Sequence, residues 1–174
     1  MSKVLLDVVG PSASNLIEAT LTYPGFKHVS VQGNFAANYE QTRMDFLAAD
    51  DGLAMPASIG ETYYGTWSGY QGSIWWSEWI DLDTDSSSDS NLYTTFFNLT
   101  IFDLFEPTAY SSATMEYFSS PVDQVGPNGT GLFYHSLFWQ FLETGAIEKI
   151  RLRLLGAGQT FNADSELKVF GHRG

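Results

Sequence analysis

The chain has 174 residues and a formal net charge of −12, from 20 acidic against 8 basic side chains, and it contains no cysteine. Too few Lys and Arg are present to neutralise a phosphate backbone, which excludes nucleic acid and anionic membrane surfaces as expected partners. Without cysteine there is no disulfide, no thiol nucleophile and no cysteine-held metal.

No run approaches the 18 uninterrupted apolar residues of a membrane span. The opening MSKVLLDVVGPSAS has only a brief apolar stretch before Asp7, too short for the core of a signal peptide. An aromatic share of 16% together with 16 glycines favours sheet over helix. The length suits one domain with a sizeable core.

Residues 1–14 hold the apolar run Val4 to Val9, stopped at Gly10-Pro11, and read as an N-terminal arm or an edge strand. From Asn15 to Tyr23, Ile17, Ala19, Leu21 and Tyr23 alternate with Glu18, Thr20 and Thr22, the period of a half-buried strand. Pro24-Gly25 marks a turn, and Phe26 to Gly33 reads as the returning strand, with Val29 and Val31 inward. Arg43 to Ala48 is a third strand. Leu53 to Gly72 reads as a packed loop, because Pro56, Gly60, Gly65, Gly69 and Gly72 interrupt any period.

Ser73 to Asp81 reads as one strand with large apolar groups on both faces, and 81–91 as an acidic loop tip. Leu92 to Phe105 exceeds the usual strand length, so a bulge or bend is expected inside it. Thr114 to Ser120 is a further strand. Leu132 to Leu142 has helical spacing at Phe133, Leu137, Phe138 and Phe141, but its aromatic content favours a strand. Gly145 to Gly174 carries two alternating runs, Ile150 to Leu154 and Glu166 to Val169, expected to form a closing hairpin with Phe161 plugging the turn. About eight strands and no helix give an all-β fold, an antiparallel β-sandwich of jelly-roll type, with residues 15–174 as its single domain.

Asp81, Asp83 and Asp85 present oxygens at alternate positions, as calcium loops do. Ser86 stands where such a loop needs glycine and Leu92 where it needs a bidentate Glu, which excludes an EF-hand and favours a solvated acidic loop. Trp67, Tyr70, Trp75 and Trp79, with Tyr63, Tyr64 and Trp76, could stack against sugar rings. The plainer reading of the same rings is core and subunit interface, where Trp and Tyr are enriched. His28, His135 and His172 are too dispersed to read as a ligand set. No serine sits in a nucleophile elbow, and Glu18, Glu78, Glu116 and Glu143 are too ordinary in an acidic chain to be read as a glycosidase pair. The residues point to no enzyme and no cofactor.

Three stretches resemble a jelly-roll domain of tailed-bacteriophage virion proteins, found in head decoration, head-fibre and tail components. They are Leu21 to Val29 (LTYPGFKHV); Met44-Asp45-Phe46 with the turn Asp50-Asp51-Gly52, where the family more often reads Phe-Asn-Gly-Asp; and the closing pattern of Ala146-Ile147 through Ile150, then Gly158, Phe161, Ser165, Phe170 and Gly171. The resemblance implies a non-enzymatic building block, a capsid decoration or cement protein on the particle surface. It would be assembled in the host cytoplasm as a homotrimer, with major capsid or other virion proteins as partners. A host-surface glycan is the alternative ligand, in a tail or fibre.

Overall fold

The structure, a computed structural model, describes residues 2–37, 41–48, 57–65, 69–77, 79–83, 93–103, 110–120, 133–144 and 146–173. Among the described residues there are twelve strands and no helix: β1 (Ser2–Val9), β2 (Leu16–Thr20), β3 (His28–Ala37), β4 (Gln41–Ala48), β5 (Ala57–Gly65), β6 (Gly69–Ser77), β7 (Trp79–Asp83), β8 (Tyr93–Phe102), β9 (Tyr110–Ser120), β10 (Phe133–Thr144), β11 (Ile147–Leu154) and β12 (Glu166–Arg173). They form two antiparallel sheets, an eight-stranded one in the order β1-β12-β3-β8-β9-β10-β5-β6 and a four-stranded one in the order β2-β11-β4-β7. The molecule is a β-sandwich.

The pairings nest. β1 pairs with β12, β2 with β11, β3 with β8 and β4 with β7, so the chain runs out and back on itself while alternating between the sheets. Two further hairpins, β5–β6 and β9–β10, extend the larger sheet beyond this nested set.

Side-chain alternation decides which face of each strand is buried. Val29, Val31, Phe35 and Ala37 of β3 point into the core, as do Leu167 and Val169 of β12. On β10, His135, Leu137, Trp139 and Phe141 are buried while Phe138 and Leu142 lie exposed, so the stretch with helical spacing is a period-two strand. In β11 the buried residues Ile147 and Ile150 are three apart because the register shifts between Ile147 and Lys149, and the bulge resets the alternation. The sheets meet where Phe46 of β4 packs on Trp139 (5.5 Å between centroids) and edge-on to Phe141 (5.2 Å) of β10. Burying side chains of this size contributes about 1.5–3 kcal/mol each.

Several sequence expectations change. Gly145 to Gly174 is not a hairpin, because β11 belongs to the smaller sheet and β12 to the larger. The connection between them crosses the end of the sandwich, where Phe161 donates its N–H to the Ser14 carbonyl at 2.7 Å and bridges to Ala37. Likewise β2 and β3, read as strand and return, lie in different sheets. Within the expected loop at Leu53 to Gly72, β5 and β6 pair from Ala57↔Ser77 to Gly65↔Gly69. Glycines there erase the side-chain pattern but leave the backbone ladder available.

The single strand expected at Ser73 to Asp81 is divided between β6 and β7, one in each sheet. β8 keeps an unbroken register with both neighbours, so it holds no bulge, and it ends at Asp103 in the left-handed region (φ 56°). Residues 2–9 form an edge strand with a bulge between Leu5 and Asp7. The Tyr23 hydroxyl donates to Asp7 Oδ2 at 3.0 Å, tying that strand to the chain before β3. Burial, then the hydrogen bond to Asp7 and its charge, push the Tyr23 hydroxyl up to about 12.

Candidate interaction surface

The outward face of the larger sheet is where unpartnered apolar surface collects. Residues directly opposite one another across antiparallel strands share a face, and the registers assemble a row of Asn34, Phe96, Phe118, Tyr134, Tyr64 and Tyr70 across six strands. Phe118 and Tyr134 touch, with centroids 4.8 Å apart.

Two residues along the strands lies a second row, Gln32, Asn98, Glu116, Ser136 and Thr62. The Tyr134 hydroxyl donates to Glu116 Oε1 at 2.9 Å, linking the aromatic and polar rows. Beyond it the face turns apolar again at Phe138, Phe102, Tyr110 and Leu142. Of the large hydrophobic side chains that are exposed among the described residues, Phe96, Phe102, Tyr110, Phe118, Phe138 and Leu142 lie on this face of β8, β9 and β10, open by 38% to 56%. Glu116 is the one carboxylate among the described outward side chains of these strands.

The smaller sheet presents a different exterior. Asp45 is fully buried there, 2.6 Å from Arg151 Nη2 and 3.2 Å from Arg153 Nε. Glu18 accepts from Lys149 Nζ at 3.0 Å. That partner raises the Lys149 ammonium pKa, through the hydrogen bond first and the charge second. The charges of Lys149, Arg151 and Arg153 on β11 are therefore paired across strands, and Glu166 and Lys168 of β12 in the larger sheet pair with each other.

Strand register puts the described aromatic candidates at separate places in the sheets. Tyr70 stands opposite Tyr64, in register with Tyr134, Phe118 and Phe96. Trp75 stands opposite Ile59, which pairs with Trp139, in the row that runs through the buried Ala113 and Ile101. Trp79 lies in the other sheet, opposite Asp45. Trp67 is outside the described residues. Asp81 and Asp83 stand opposite Arg43 and Gln41 on β7, and Asp85 is outside the described residues. The described residues hold no group of three or more His, Asp or Glu that could bind a metal ion.

The closing-segment residues are structural. Ile150 is fully buried, and Phe161 packs edge-on to Phe35 at 5.9 Å. The Ser165 hydroxyl accepts from the Ala36 N–H at 3.1 Å and lies 3.2 Å from the Ala36 carbonyl. Phe170 lies under Lys3 Nζ at 4.0 Å. A Cβ on Gly171 would meet the Phe26 ring at 2.3 Å.

Two histidines thought dispersed are neighbours: His28 and His172 are register partners, and Ser30 Oγ lies 3.1 Å from His172 Nε2. His135 instead stacks on Tyr117 inside the core, at 4.1 Å and 8°. Glu18 and Glu116 lie on different sheets, so they form no catalytic pair. Glu78 and the side chain of Glu143 are outside the described residues.

A recess of about 200 Å³ between β3 and the β11–β12 connection is lined by Asn34, Phe35, Ala36, Asn162, Asp164 and Ser165, and its Ser165 hydroxyl is engaged by the Ala36 backbone. Single-sequence reading missed the aromatic row because its members come from five strands. Only the register, which the sequence does not display, brings them into line. Comparison with protein-family models, with curated proteins and with solved structures finds no match for the chain.

Proposed function

We propose that the chain is a non-enzymatic virion structural protein of a tailed phage, a decoration or cement protein that binds the outer shell as a symmetric oligomer. The observation that carries this reading is the exposed aromatic face of β8, β9 and β10 in a chain of net charge −12. A contiguous apolar patch of that kind marks an interaction surface. The nested pairing of β1 with β12, β2 with β11, β3 with β8 and β4 with β7 supports the jelly-roll assignment on which the resemblance rests.

The mechanism is passive. A rigid sandwich associates through its aromatic face, oligomerisation multiplies the modest contacts that each copy makes with the shell, and effective concentration turns them into firm attachment. Purified protein added to particles lacking it should bind saturably, at a stoichiometry set by shell symmetry. Particles that take up none would overturn the reading.

One observation favours a second reading, in which the chain binds host-surface glycans. The aromatic row that includes Tyr70 runs beside the hydrogen-bonding side chains Gln32, Asn98, Glu116 and Ser136, and sugars offer both apolar faces and hydroxyls. Retention on a glycan panel that Phe118→Ala abolishes would support it, and a panel with no binder would remove it.

A further inference from the structure

We infer that the outward face of β8, β9 and β10 is a self-association surface, occupied by the same face of a second copy of this chain in a two-fold contact. The inference deepens the proposed function and rests on its symmetric oligomer, but it puts a two-fold pair in place of the homotrimer that the resemblance implies and names the surface that forms it.

Area is the first argument. A whole aromatic side chain buries about 150–250 Å². With six large apolar side chains open by 38% to 56%, roughly 600 Å² of apolar surface is available on this face. A standard interface takes about 800 Å² from each partner, and the polar side chains between the rings, Asn98, Thr100, Thr114 and Gln140, supply surface of the kind that completes one. A short oligosaccharide would cover only part of such a face.

Charge is the second argument. Two chains of −12 repel one another, and apolar faces associate only where that repulsion is smallest. Glu116 is the one carboxylate among the described outward side chains of these three strands, and its Oε1 is already engaged by Tyr134. The described side chains of the opposite exterior include the ion pairs of Glu18 with Lys149 and of Asp45 with Arg151, and no exposed large hydrophobic side chain lies on a described part of β2, β11 or β4.

Shape is the third. The six side chains come from three adjacent strands with an unbroken register between β8 and β9. Two such sheets can stack at about 10 Å, as the layers of a sandwich do. The same patch on both copies makes the contact isologous, and a two-fold pair closes without leaving an open end.

Sedimentation equilibrium of the full chain tests this, alongside the variants Phe96→Ser/Phe138→Ser and Glu116→Gln, with circular dichroism confirming that each is folded. The wild type should be a dimer, or an even-numbered assembly of dimers, at micromolar concentration. Association should strengthen with salt, because at 1 M the screening length falls to about 3 Å and the repulsion between copies is removed. Phe96→Ser/Phe138→Ser should weaken the pair at least about thirtyfold. Glu116→Gln should tighten it, because a carboxylate no longer has to be desolvated near its symmetry mate.

A wild-type monomer up to about 100 µM, well above the range of standard-size interfaces, would overturn the inference. So would a trimer, or a dimer indifferent to both variants. A monomer that binds glycans through this face would also overturn it, in favour of the second reading. Failure here is separable from failure of the proposed function: a monomer that still decorates particles defeats the surface assignment and the oligomeric form but not decoration, and a dimer that never decorates them defeats only the function.

Discussion

Gly33 of β3 and Gly171 of β12 mark the points where rings come closest to the backbone. A Cβ at Gly33 would lie 2.0 Å from the Phe97 ring, and one at Gly171 would lie 2.3 Å from that of Phe26. Both rings are buried in the core and have little room to swing aside. Alanine at either position should therefore cost about 1–3 kcal/mol by overpacking, read as a lower urea midpoint; an unchanged midpoint would contradict that packing.

Asp45 makes the opposite kind of demand. Its fully buried carboxylate holds Arg151 and Arg153, whose side chains remain 23% and 36% exposed. Because the arginines keep access to water, Asp45→Ala should fall at the lower end of the cost of breaking a buried pair, about 3 kcal/mol. His172 couples stability to pH. Burial first, then the charges of Lys3 and His28, hold its imidazole pKa below the ordinary 6.5. The unfolded chain therefore takes up this proton more readily than the folded one. The contribution is complete above the unfolded value and is lost as pH falls from there through the folded value. His172→Gln should flatten the dependence of unfolding free energy on pH in that window, measured against wild type by denaturant titration.

The crossing from β11 to β12 shows what an element needs beyond its own alternation. Phe161 fills the end of the sandwich against Phe35 while its N–H reaches the Ser14 carbonyl, so one residue ties the crossing to both ends of the nested set. Phe161→Ala should cost about 3–5 kcal/mol and should be measurable as a drop in thermal midpoint. Alternation in Ile150 to Leu154 and Glu166 to Val169 is legible in the sequence, and so is the burial of those residues. The sheet each strand joins is not legible, because alternation reports a wet and a dry face but no partner. The same limit explains β5 and β6, where glycines remove the side-chain signal while the backbone still pairs. It also explains Trp75 and Tyr70, close in sequence but set by strand parity in different rows.

Across the whole molecule the two exteriors divide the work. The described exterior of the smaller sheet carries cross-strand ion pairs, whereas the larger carries bands of aromatic and polar side chains that nothing among the described residues covers. All-β class and acidic character were legible from composition. The interaction surface was not, because Phe96, Phe118 and Tyr134 are separated by as many as 38 residues in the chain and meet only through strand register. The proposed function turns on the oligomer formed through that surface being carried on a particle. Imaging intact virions with this chain labelled tests it most directly. The account predicts label at symmetry-related positions on the outer shell, and particles that carry no label at all would contradict it.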